Sequence, residues 1–121
     1  MVTSNPKIER ELVWGFVLYN PQDSFFERLK SLVSLGHNVI IYDNANSNNQ
    51  ELKNDLIEII SKGSNDGLGV AMNSIGKKAL ANDFKYWIYF DQDTQFGTAT
   101  IEAITNYITT RSQTGWHNDL C

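Results

Sequence analysis

Apolar residues follow two rhythms along this chain. Three runs, Leu12 to Tyr19, Val39 to Tyr42 and Tyr86 to Phe90, are nearly continuous in aliphatic, β-branched and aromatic side chains, and each is followed by polar residues. Such runs suit strands covered on both faces, where neither face has to meet water. Between the first two, Phe25, Phe26, Leu29, Leu32 and Val33 recur at helical spacing, and Gly36 stands where a left-handed residue ends a helix. An amphipathic helix is therefore expected from about Asp23 to Leu35.

The stretch from Glu51 to Ile60 fits two patterns: Leu52, Leu56 and Ile60 suit a helix, whereas Leu56 to Ile60 suits a short strand. A brief helix followed by a strand is the expectation. Asn65 and Asp66 can cap the next helix, with Leu68, Met72, Ile75, Ala79 and Leu80 facing inward before a polar exit at Asn82 and Asp83. A final helix carries Ile101, Ile104 and Ile108, and residues 111–121 are expected to form an irregular tail.

Strands alternating with helices predict an α/β fold, an open and mainly parallel sheet with helices on both faces, because parallel neighbours need crossover connections. With strand order 3-2-1-4 the winding reverses between the first strand and the fourth, opening a crevice beyond their carboxyl ends. Tyr19, Asn20, Asp43, Asp91 and Asp93 are expected to gather there.

Composition narrows the function more than it defines it. The 121 residues fit one domain, 41% hydrophobic and 20% charged, which is ordinary for a globular protein. A formal charge of −4 argues against nucleic acid as the principal partner. One cysteine, Cys121, allows no intrachain disulfide and no thiolate zinc cluster, and the amino terminus lacks a signal-peptide pattern. The expected location is the cytoplasm, with any membrane association peripheral and at the inner face.

The candidate chemistry lies after the third apolar run. Asp91 and Asp93 are two residues apart, so in extended backbone their side chains point to one side and their oxygens can converge. Two such carboxylates repel one another unless a cation or donors compensate. Magnesium or manganese binds through one or two carboxylates together with phosphate oxygens and water, so this small cluster is enough for either ion. An Asp-x-Asp triplet alone is commonly a solvated turn; its position behind a buried strand favours the ligand site. The Asn65 to Asn73 segment, with Gly67 and Gly69, either brings backbone amides toward an anion or simply closes a loop and caps a helix.

Other fragments are excluded. Gly67-x-Gly69 lacks the third glycine of a dinucleotide fingerprint, Gly76-Lys77-Lys78 lacks the rest of a phosphate loop, and neither His37 nor His117 sits in a zinc or nucleophile motif. A haloacid-dehalogenase-like phosphohydrolase is disfavoured because Gln95 stands where its threonine belongs. A receiver domain is disfavoured because Tyr19-Asn20-Pro21 replaces its acidic pair.

Four segments in order, Val17-Leu18-Tyr19-Asn20-Pro21, Val39-Ile40-Ile41-Tyr42-Asp43-Asn44, Asn65-Asp66-Gly67-Leu68-Gly69-Val70-Ala71-Met72-Asn73 and Ile88-Tyr89-Phe90-Asp91-Gln92-Asp93-Thr94, together resemble family 2 glycosyltransferases of the GT-A fold, especially rhamnosyltransferase-like members. The resemblance runs from about Leu12 to Ile108. It implies transfer of a sugar from a nucleotide-sugar donor, dTDP-rhamnose being the family-level suggestion, to a glycan or glycolipid hydroxyl, assisted by Mg2+ or Mn2+. It implies that Tyr19 and Asn20 line the nucleotide pocket, that Asp43 recognises the base, that Asp91 faces the nucleotide sugar and that Asp93 holds the metal. It also places the catalytic base in an acceptor-binding part beyond the metal motif; neither Glu102 nor Asp119 matches it, so residues 1–121 are expected to be a truncated GT-A-like domain that binds donor with or without transfer. A truncated sheet would leave the Tyr86 to Phe90 strand at an edge, where self-association is expected.

Overall fold

The computed structural model of the chain describes residues 6–44, 53–61 and 67–114. In chain order the elements are α1 (Pro6–Glu11), β1 (Leu12–Leu18), α2 (Asp23–Ser34), β2 (Asn38–Asp43), β3 (Ile57–Ile60), α3 (Leu68–Ala81), β4 (Tyr86–Tyr89) and α4 (Thr98–Thr114). The strands form one four-stranded sheet in the order β3-β2-β1-β4, and every neighbouring pair is parallel. The α/β class, the parallel sheet and the strand order are as the hydrophobic pattern predicts. β1 lies in the middle, with Leu18 beside Asp43 of β2 and Gly15 beside Tyr89 of β4.

Strand alternation sorts the side chains into two layers. On one face Leu12, Trp14, Phe16, Leu18, Val39 and Ile41 pack with Ile8 of α1, Phe25, Phe26, Leu29 and Leu32 of α2, and Ile101 and Ile108 of α4. On the other face Val13, Ile40 and Tyr42 pack against Ala71, Ile75 and Ala79 of α3. The first layer is thick and aromatic. The second is thin, because small residues let α3 approach the sheet closely.

Two helix ends are set by left-handed residues. Gly36, at φ 87°, donates its N–H to Val33 O at 3.0 Å while the N–H of His37 reaches Leu32 O at 3.1 Å, which stops α2 and turns the chain into β2. Asp83, at φ 64°, plays the same part after α3, where Phe84 N–H bonds Ala79 O at 3.0 Å.

Several expectations need correction. No helix precedes β3 in the described residues from Lys53: the Asn54 side chain accepts the Leu56 N–H at 2.8 Å and its carbonyl accepts the Ile57 N–H at 3.0 Å, so a turn outcompetes the helix. The residue capping α3 is Gly67, and Asn65 and Asp66 lie outside the described residues. On α3 the inward face is Ala71, Ile75 and Ala79; Leu68 and Leu80 are 53% and 77% exposed, because a 14-residue helix over a small sheet buries only its central stripe. α4 continues past Arg111 to Thr114, so the first part of the expected irregular tail is helical. α1 had no forecast in the pattern. β4 does stand at one edge of the sheet.

Candidate functional site

Beyond the carboxyl ends of β1 and β4 the chain runs into two polar loops. After β1 it passes through exposed Tyr19 and Asn20; Asn20 adopts φ 48°, a left-handed conformation that asparagine tolerates better than most residues. After β4, Phe90 turns back into the aromatic layer and Asp91, Gln92 and Asp93 follow in a turn closed by Thr94 N–H on Asp91 O at 3.0 Å.

Asp91 and Asp93 are both exposed and share one hollow of about 390 Å³, which Val17, Leu68, Tyr89, Gln92 and Thr94 also line. Leu68 is the first residue of α3, so one wall of the hollow is a helix amino terminus and another carries the two carboxylates. Gly67, at φ 83°, makes the sharp entry into that helix, and a side-chain carbon added at Gly67 or Gly69 would meet none of the described residues within 4 Å. Asn65 lies outside the described residues.

Tyr89 donates its hydroxyl to Asp91 Oδ1 at 2.9 Å. Burial, reinforced by that hydrogen bond and by the Asp91 charge, pushes the phenol up to about 12, so it remains a proton donor at any physiological pH. One oxygen of Asp91 is thus oriented from beneath.

The two loops are fastened to each other. Gln92 Oε1 accepts the Tyr19 N–H at 2.8 Å and Gln92 Nε2 donates to the Tyr19 carbonyl at 3.0 Å. Arg28, a buried residue of α2, donates through Nη2 to the Gln92 carbonyl at 2.6 Å and through Nη1 to Gln95 Oε1 at 3.3 Å, with its guanidinium 5.9 Å from the centre of the Phe96 ring. Sequence reasoning missed both Gln92 and Arg28. A charged residue inside the apolar stripe of α2 was the signal for Arg28; nothing local marked Gln92.

Asp43 does not join this arrangement. It is 1% exposed at the end of β2, continuing the alternation of Val39 and Ile41 toward the α2 and α4 layer, whereas Tyr89 follows Trp87 on the α3 side. Asp43 is not among the described residues that line the hollow shared by Asp91 and Asp93. Nor do three His, Cys, Asp or Glu side chains cluster as a self-sufficient metal site among the described residues. Asp91 and Asp93 fit a hard cation whose remaining ligands come from phosphate and water.

No helix among the described residues is long and apolar enough to cross a membrane. Comparison with family models, curated proteins and solved structures finds no match to the chain.

Proposed function

We propose that the chain binds the diphosphate of a nucleotide sugar and serves as the donor-binding part of a glycosyltransferase acting on a glycan or glycolipid hydroxyl. The observation that carries this is the pairing of walls in one hollow: Asp91 and Asp93 on one side and the first turn of α3 on another. A magnesium or manganese ion held by the carboxylates and a diphosphate facing helix amides satisfy both walls at once, since helix amino termini favour anions. The hollow lies where winding reverses between β1 and β4, the usual ligand position in open parallel sheets.

In this role Asp93 and Asp91 hold the cation, and Tyr89 keeps Asp91 oriented. The cation, when bound, supplies charge stabilisation for the departing diphosphate. In this reading the nucleotide meets Tyr19 and Asn20 of the loop that Gln92, a lining residue of the hollow, holds through Tyr19.

A second role, donor binding without transfer, is favoured by one feature. Among the described residues the carboxylates lining the hollow are Asp91 and Asp93, both used for the cation in this role, which leaves no described carboxylate there to take the acceptor proton.

Calorimetry with nucleoside diphosphates and nucleotide sugars, with and without Mg2+ or Mn2+, tests the proposal. Metal-dependent binding is expected, weakened about tenfold or more in Asp93→Asn, the size of one lost charged contact. Equal affinity of wild type and variant at verified metal occupancy would remove Asp93 from the site. Turnover of nucleotide sugar separates the transferase from the binding protein.

A further inference from the structure

We infer that Gln92 and Arg28 are positioning residues: a two-part clasp that presets the Asp91 and Asp93 carboxylates for a cation-bound diphosphate. The inference rests on the proposed donor-binding role and adds residues to that same site.

The middle residue of the acidic triplet behaves unlike its neighbours. Asp91 and Asp93 are exposed, while the Gln92 side chain takes up both backbone groups of Tyr19 across the sheet, at 2.8 and 3.0 Å. Gln92 is thereby fixed to the loop after β1. A carboxamide suits this pairing, because one of its groups donates while the other accepts. A carboxylate in its place would accept the Tyr19 N–H but would face the Tyr19 carbonyl with a second negative oxygen.

Arg28 fastens the same loop from below. Its guanidinium donates to the Gln92 carbonyl and the Gln95 side chain and lies against the Phe96 ring, which stacks on Trp14 and Phe16 of β1 at 6.5 and 6.2 Å. Its hydrogen-bonding and ring partners there are a carbonyl, a carboxamide and an aromatic face, all neutral. The loop from Asp91 to Phe96 is therefore tied at Gln92, Gln95 and Phe96, and the residues between the ties, Asp93 and Thr94, line the hollow.

The physical consequence is preorganisation. Two carboxylates at this spacing repel each other in the absence of a cation, and an untethered loop would spread them and have to be reordered on binding. Anchoring the residue between them removes that cost beforehand. Groups that orient metal ligands without touching the metal are typically worth about 10- to 100-fold in metal affinity.

Gln92→Glu makes the test, because two views of the triplet predict opposite results. If the triplet is simply an acidic cluster, a third carboxylate tightens binding of Mn2+; if Gln92 is a clasp, the substitution weakens it. Titration of Mn2+ in the presence of inorganic pyrophosphate is expected to show about tenfold weaker binding in Gln92→Glu. Arg28→Lys keeps the charge but cannot serve Gln92 and Gln95 together, and is expected to weaken binding without being rescued by the retained charge. Asp93→Asn is the control for the site, and circular dichroism melts confirm that each variant folds. Tight wild-type binding lost in Asp93→Asn but kept or improved in Gln92→Glu overturns the clasp and leaves the donor-binding role standing. Wild-type binding that is absent, or indifferent to Asp93→Asn, overturns the donor-binding role and the clasp with it.

Discussion

The side-chain amide of Gln92 holds Tyr19 by its backbone N–H and C=O, at 2.8 and 3.0 Å, and leaves the Tyr19 residue 55% exposed. Two parts of one residue are thus treated differently: Gln92 takes up the backbone of Tyr19, and the residue remains exposed. The loops after β1 and β4 are thereby joined to each other across neighbouring strands.

Replacing Tyr19 by alanine follows directly from that division. The clasp uses no side-chain atom of Tyr19, so Tyr19→Ala is expected to change folding stability by no more than about 0.5 kcal/mol. Stacking of an aromatic ring on a base is worth about 1–3 kcal/mol, so nucleoside diphosphate binding is expected to weaken roughly tenfold while pyrophosphate binding is unchanged. Calorimetry with both ligands checks this. Equal losses for the two would place the ring away from any base.

The contact between Tyr89 and Asp91 gives a signature at high pH. Burial first, then the hydrogen bond and the charge of Asp91, raise the phenol from 10.0 to about 12. A group whose folded pKa lies above its unfolded value contributes stability that is complete below the unfolded pKa and disappears as pH rises through the folded one. Tyr89 should therefore stabilise the fold up to about pH 10 and cease to do so as pH approaches 12. The difference in phenolate absorbance between wild type and Tyr89→Phe should isolate a tyrosine that titrates above pH 10, and Asp91→Ala should shift that component to lower pH.

The division between what the sequence displays and what it hides is physical. β1, β2 and β4 show in the pattern because buried parallel strands need unbroken apolar runs, and α2 shows because Phe25, Leu29 and Leu32 repeat with the helix. The turn before β3 is hidden, since the choice between helix and turn hangs on one side-chain bond from Asn54. Asp91 and Asp93 are visible as a local triplet. Arg28 is marked only as a charge inside the apolar stripe of α2 and Gln92 not at all, because their partners are 64 and 73 residues away and a polar side chain does not show what it will meet. The burial of Asp43 at the end of β2, on the strand parity of Val39 and Ile41, is likewise hidden, because its place at a strand end does not say which layer it meets.

Gly15 is expected to be intolerant of any side chain. A carbon added there would stand 2.5 Å from Trp87 Nε1 and 2.9 Å from Ile75 Cγ2, so Trp87 must be displaced from the thin layer under α3. Overpacking of this kind costs about 1–3 kcal/mol. Gly15→Ala should lower the free energy of unfolding by that amount, and combining it with Trp87→Leu should recover part of the loss, a coupling that a double-mutant cycle measures. Additive effects would mean that Trp87 moves aside freely.

His37 supplies an acid-side prediction independent of the hollow. Only 3% exposed, it lies edge-on to Trp14 with ring centres 5.5 Å apart, and its Nδ1 has no hydrogen-bond partner. Burial lowers its pKa below 6.5, so the folded protein keeps the ring neutral. The unfolded chain takes up a proton below about pH 6.5 that the folded chain refuses, and the stability due to the neutral ring is lost as pH falls from there, by at most about 1.4 kcal/mol per pH unit for one proton. His37→Phe keeps an aromatic edge on Trp14 and removes the unpaired nitrogen. Because exchanging an unsatisfied buried polar atom for an apolar one of similar shape is neutral or stabilising, the variant should match or exceed wild type at pH 7. Urea denaturation at pH 7.5 and 5.5 (two arbitrary points about one unit either side of the unfolded value) should show a smaller loss for His37→Phe than for wild type. Equal losses in the two proteins would mean that His37 titrates normally in the fold and that the acid sensitivity comes from the carboxylates.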